Sequence, residues 1–122
     1  MEKSVQPFNQ ASSEEQSIAS LGGQLRAMLD VLVMEKRLTE QDRRILLLRL
    51  GLEDGKYHTL NEVGAILCKS PEAIRSRQYI VLKRNTRDLS FFKLLRDYAR
   101  IVKLPRGVTY YLYRYSDYDD HF

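Results

Sequence analysis

Apolar residues recur at helical spacing along most of the chain, and cap or turn residues stand in the breaks between the runs. Leu25, Met28, Leu29, Leu32 and Val33 stand three or four apart, predicting a helix of about fourteen residues after Gly22-Gly23. A second helix is expected from Thr39, a capping hydroxyl followed by acids in the first turn, to Gly51, a C-terminal stop. Its run Ile45-Leu46-Leu47-Leu48 is apolar on more than one face, which puts this helix at the centre of the core. Asp54-Gly55 predicts a tight turn, and the lone His58 reads as a loop hydrogen-bonder.

The stretch Thr59 to Arg87 carries two helix starts. Thr59 and Glu62 have the spacing at which a hydroxyl and a carboxylate satisfy each other's backbone donors. Ser70-Pro71-Glu72 offers an N-cap, a proline at the first helical position and an anion in the first turn. Leu60, Val63, Ile66 and Leu67 mark the first helix, Cys68-Lys69 the break, and Ile74, Val81 and Leu82 the apolar stripe of the second. Two short helices with a brief polar break form the pattern of a helix-turn-helix, whose second helix reads DNA.

After Arg87, Leu89, Phe92, Leu95, Ala99 and Val102 share one helical face, and Phe91, Leu94, Tyr98 and Ile101 a second. A helix apolar on two sides must be covered twice. Two readings stand: a core helix that wraps its own domain, or a contact for a partner or second copy through Leu89, Phe91, Phe92, Leu94, Leu95, Tyr98 and Ile101. Leu104-Pro105-Arg106-Gly107 stops the helix. The end, residues 105–122, holds five of the eight tyrosines and alternates over Tyr111, Tyr113 and Tyr115, as a short edge strand or a tail would. Its acidic tip, Asp117 to Phe122, is as readily disordered. Residues 1–20 are rich in Ser, Gln and Glu and are expected to form a disordered tail or frayed turn. The fold class expected is all-α: a small helical bundle over residues 21–104 containing a helix-turn-helix at about 59–87, with an extra C-terminal helix and a Tyr-rich tail.

Charge changes this picture at one place. The net charge of +4 is distributed as −1 over residues 1–38, +3 over 39–88 and +2 over 89–122. From Lys69 to Arg87 there are six Lys or Arg and one acid, Glu72. Glu72, Ser76, Tyr79 and Lys83 fall on one stripe opposite Ile74, Val81 and Leu82, with Arg75 and Arg84 on its flanks. A guanidinium near the start of such a helix can donate twice to guanine, and Glu72 can accept from a cytosine amine. Lys83, Arg84 and Arg87 lie where phosphates are met. The candidate DNA-binding residues are Lys69, Ser70, Glu72, Arg75, Ser76, Arg77, Tyr79, Lys83, Arg84 and Arg87. The competing reading is a solvated helix face, the usual fate of a charge run.

Other chemistries find little to work with. A single cysteine, Cys68, excludes an intrachain disulfide and points to a reducing compartment. His58 and His121 are far apart, and no metal-ligand spacing, phosphate loop or nucleophile–base pairing occurs, so neither an enzyme nor a cofactor is expected. No apolar run near the roughly 18 residues of a membrane span and no signal peptide are read, so a cytoplasmic protein is expected.

The run LTEQDRRILLLRLGLEDGKYHTLNEVGAIL resembles region four of bacterial RNA polymerase sigma factors, in the form found in primary sigma factors. The likeness lies in the apolar helix ending Arg49-Leu50-Gly51-Leu52, the acidic-Gly loop, His58-Thr59-Leu60 and Glu62-Val63-Gly64, and extends without gaps from Leu38 to Arg87. It implies that Ser70 to Arg84 corresponds to the helix that reads the upstream promoter element, with Glu72 and Arg75 at positions that approach bases or backbone. It also implies docking on the flap of the polymerase β subunit, with exposed parts of Ile45–Leu52 as candidates, and in the family Gly64 lets helices approach closely. Pro71, Ser76 and Ile80 depart from the primary-sigma pattern, and Ile74-Arg75-Ser76-Arg77 is similar to smaller, alternative sigma factors. The residues before Leu38 are too few for a promoter-melting domain, so the resemblance implies a detached region four. Its roles would be a regulator, a split-sigma subunit or a competitor for polymerase, with promoter DNA, RNA polymerase or a sigma factor as partners, near the bacterial nucleoid. The alternative is a protein-interaction module that binds polymerase or a sigma factor without specific DNA binding.

Overall fold

A computed structural model describes residues 2–110 and 112, with side chains described from residue 13. The fold is a small all-helical bundle: α1 (Glu2–Met34), α2 (Glu40–Arg49), α3 (Leu60–Leu67), α4 (Pro71–Asn85) and α5 (Leu89–Ile101). Residues 106–110 and 112 are also helical. α1 packs on α5 and α2, and α2 touches both α3 and α4, which pack on each other.

The apolar run of α2 divides between two cores, which is why it can be apolar on more than one face. Leu46, Leu47 and Leu50 join the main core with Leu25, Leu29 and Leu32 of α1, Val81 and Leu82 of α4, and Phe91, Phe92, Leu95 and Tyr98 of α5. Ile45 and Leu48 turn the other way and meet Val63 of α3 and Ile74 of α4 in a smaller cluster. α2 is therefore the plate that joins the helix-turn-helix to the rest of the molecule. Gly51, one residue past the cap, has φ 72°, and Leu52 donates to the Leu47 carbonyl at 2.8 Å, closing the helix in a Schellman turn.

The expected partner face of α5 is filled from within. Phe91, Phe92, Leu95 and Tyr98 are buried against α1 and α2, and the Tyr98 hydroxyl donates to the Leu50 carbonyl at 3.0 Å. Burial, followed by the contact with Tyr57, pushes the Tyr98 phenol well above its ordinary value, so it stays protonated. Only the ends of that face, Leu89 and Ile101, are exposed, with Leu94 half-buried. Of the two readings, the core helix that wraps its own domain is the one realised. Helix periodicity specifies that two faces need covering, not that the same chain supplies both covers.

At the two ends the structure goes beyond the pattern. α1 continues back to Glu2 through the stretch read as a tail or frayed turn. Among its described side chains there, Ile18 is half-buried and its neighbours from Ser13 to Ser20 are exposed. Within α1, Ser13–Met34 is long and apolar enough, by length and composition, to cross a membrane, a run the sequence reading did not identify. Its Leu25, Leu29 and Leu32 are spent on the core, at 0% exposure. At the other end, residues 106–110 are helical where a strand or tail was expected, because Val108 and Leu112, four apart, both enter the main core. The alternating Tyr111, Tyr113 and Tyr115 and the acidic tip lie outside the described residues.

Candidate nucleic-acid interface

Local chemistry at three caps positions the helix-turn-helix. Thr59 accepts from the Glu62 amide at 3.1 Å while the Glu62 carboxylate accepts from the Thr59 amide at 3.0 Å, so the predicted capping box starts α3. Cys68 ends α3 in the left-handed region at φ 58°, and Lys69 donates back to the Gly64 carbonyl at 2.8 Å. Ser70 then accepts from the Ala73 amide at 3.1 Å, with Pro71 opening α4. Gly64 makes this tight turn possible. A Cβ there would lie 2.5 Å from the Lys69 carbonyl oxygen, so the chain can reverse against α3 only where that atom is missing.

A buried polar brace orients α4. Arg49 of α2 donates to the Gln78 side chain at 2.6 Å and to the His58 carbonyl at 2.9 Å. His58 is itself buried, its Nε2 2.7 Å from Asp54. Asp54 and Glu62 are both held below the ordinary carboxylate range, Asp54 chiefly by the bond to His58 and Glu62 chiefly by the Thr59 amide. On the other flank of α4, Arg77 makes a two-pronged pair with Asp42 of α2, at 3.0 and 2.7 Å. Arg49, Gln78, Asp42 and Arg77 thus fix the roll of α4 and decide which of its faces points outward.

The outward face carries most of the predicted residues. Lys69, Ser70, Glu72, Arg75, Ser76, Tyr79, Lys83, Arg84 and Arg87 are all exposed, from the turn to the last residues after α4. The ammonium of Lys83 lies 5.5 Å from the Tyr79 ring centroid, a cation–π contact along the face. Tyr79, Ile80, Lys83, Arg84 and Arg87 line a shallow groove at the C-terminal half. Arg77 is the exception among the candidates. It is half-buried and committed to Asp42, and so braces the helix where the sequence reading had it contact DNA. A carboxylate on α2 thirty-five residues away leaves no local sequence signal for this pairing.

The structure adds residues that the sequence reading placed elsewhere or passed over. Lys103, Leu104, Pro105 and Arg106 share a cleft of about 700 Å³ with Arg75, Glu72, Pro71, Asn61 and Tyr57. Along the sequence, Lys103 lines the remaining side of the α5 stripe with Lys93, Arg96 and Arg100, from which phosphate contacts are conceivable, and Arg106 is part of the stop Leu104-Pro105-Arg106-Gly107. Their nearness to α4 depends on how the chain doubles back after α5. Among the described residues no group of three His, Cys, Asp or Glu is placed to hold a metal ion.

In sequence, the chain is similar over part of its length to RNA polymerase sigma factors. The chain is 45% identical over 47 residues, 38% of its length, to RNA polymerase sigma factor SigA4 of Synechococcus elongatus (strain ATCC 33912 / PCC 7942 / FACHB-805), and covers 15% of that protein. It is 39% identical over 75 residues, 62% of its length, to RNA polymerase sigma factor SigA of a Bacillus species, covering 18% of it. The chain thus spans less than a fifth of the length of these relatives. No family profile and no solved structure matches. The resemblance to sigma factors is shown over part of the chain, and it is consistent with a domain like sigma region four.

Proposed function

We propose that this chain is a sequence-specific DNA-binding transcription factor of the sigma region four type, acting at promoters with RNA polymerase in the bacterial cytoplasm. It would serve as a regulator or split-sigma subunit, inserting α4 into a major groove with α3 braced across the backbone. The observation that carries this reading is the exposed basic face of α4, held outward by the Arg49–Gln78 and Asp42–Arg77 braces across a turn that only Gly64 permits. Arg75 stands near the start of α4, where a recognition helix meets base edges, and Lys83, Arg84 and Arg87 stand where phosphates pass. Binding to random duplex at two salt concentrations, followed by selection from the bound pool, tests it. A steep salt dependence and an enriched motif are expected, and weak, motif-free binding would overturn it.

A second reading draws on Ile80 and Ile66. Ile80 is 38% exposed on the same outward face as Ser76 and Lys83, and Ile66 is 41% exposed on α3. Apolar groups on a reading surface suit a module that docks on the polymerase β flap, on a sigma factor or on a second copy. Capture of purified polymerase by a chain that binds no DNA at low salt would favour it.

A further inference from the structure

We propose that the segment after α5, residues 103–110, is a second DNA-contacting element, in which Lys103 and Arg106 hold the phosphate backbone beside the groove that α4 enters. The inference rests on the reading of α4 as the inserted helix and adds a surface that lies beyond Leu38–Arg87.

Three observations converge. First, the segment runs beside one flank of α4. Lys103 and Arg106 line the cleft that holds Glu72 and Arg75, and Arg106, Gly107 and Tyr110 line the next groove along with Arg75, Ser76 and Tyr79. Second, the segment is anchored. Leu104, Val108 and Leu112 are buried in the main core, and Val108 donates to the Pro105 carbonyl at 3.0 Å. Gly107 lies close against the brace, its missing Cβ 3.4 Å from both the Arg49 guanidinium and the Gln78 amide. The cations it carries are therefore held at a set distance from α4. Third, Lys103, Arg106 and Arg75 are all exposed, and the fold brings them together with Glu72 as the single acid among the described lining residues. Like charges gathered at one edge repel, and a polyanion laid along that edge relieves the repulsion.

Groove geometry selects duplex DNA as that polyanion. A helix in a major groove about 12 Å wide has a phosphate strand on either side. Lys83 and Arg84 in the last turn of α4 and Arg87 just after it bring cations to that end, whereas at the N-terminal half the proposed reading gives Arg75 to bases. Lys103 and Arg106 supply the missing backbone contacts on the Arg75 flank.

The test uses the full chain carrying Lys103→Ala and Arg106→Ala together, titrated across a salt series on a selected duplex and a random one. A decrease of about two units in the salt slope is expected, since each phosphate contact contributes about 0.9. Affinity is expected to fall by the same factor on both duplexes, with the selected motif unchanged. Lys103→Arg with Arg106→Lys is expected to keep the wild-type slope, and an unchanged melting curve checks the fold. An unchanged slope in the alanine variant, while the wild type binds, overturns the inference and leaves the reading of α4 intact. A loss confined to the selected duplex overturns it as well, because that is the signature of base contact. A wild type that binds neither duplex at low salt removes both readings together.

Discussion

Arg77 donates to both carboxylate oxygens of the buried Asp42, at 3.0 and 2.7 Å, and this pair joins α4 to the central helix α2. Asp42 also accepts from the Thr39 amide, so one carboxylate caps α2 and sets the roll of α4. Burial pushes the Asp42 carboxyl up, but the hydrogen bonds from Arg77 and Thr39 outweigh it and hold the group below its ordinary value of 3.8.

Arg77→Ala should therefore cost stability before it costs specificity. Leaving a buried carboxylate half-satisfied is expected to lower unfolding free energy by about 1–3 kcal/mol, discounted here because the Arg77 side chain is 43% exposed. Urea denaturation measures it. A midpoint within error of wild type would mean that the pair is a surface contact without weight.

The same carboxylate predicts an acid limb. Because the folded-state value of Asp42 is depressed, its contribution is complete above the unfolded value and is lost as pH falls through the folded one. Stability should decline below about pH 4, and Asp42→Asn, though less stable at neutral pH, should lose less over that interval. Urea midpoints from pH 7 to pH 2 compare the two proteins; parallel curves would exclude Asp42 as a source of the decline.

Two glycines should respond oppositely to alanine. Gly64→Ala gains about 1 kcal/mol of helix propensity but places a methyl 2.5 Å from the Lys69 carbonyl, where backbone must move. A net loss of about 1–3 kcal/mol is expected from the overpacking. Gly23→Ala, in mid-helix with nothing within 4 Å of the new methyl, should stabilise by about 0.5–1 kcal/mol. Equal effects in denaturation would refute the close-approach role of Gly64.

If α4 reads bases, Arg75→Ala should weaken the selected site by about 1–3 kcal/mol and relax preference at one position. Lys83→Ala should weaken all duplexes alike and lower the salt slope by about one unit. A uniform loss from both variants would remove Arg75 from the base readers.

The stretch of α1 from Ser13 to Ser17 should exchange its amide hydrogens quickly. From Ser13 to Ser17 the side chains are exposed, so helix there gains little from tertiary packing. Protection is expected to begin near Ile18 and to be strongest at Leu25, Leu29 and Leu32, which are buried in the core. Slow exchange through residues 13–17 would show that something covers that stretch.

What the chain determines locally was legible along it. Thr59–Glu62 and Ser70–Pro71 start α3 and α4 where their hydroxyl, carboxylate and proline chemistry says they must, since a cap acts within one turn. The stripe from Leu25 to Val33 and the apolar run of α2 announced buried faces through their spacing, and the outward basic face of α4 followed from the same period. Tertiary structure decided which surfaces meet. The second face of α5 is covered by this chain's own α1, Arg77 is held by a carboxylate on another helix, and Arg106 stands beside Arg75 because Val108 and Leu112 anchor the returning chain. Helical periodicity records that a face is apolar or charged, but the partner of that face lies tens of residues away. Only the packing of the whole bundle brings the two together.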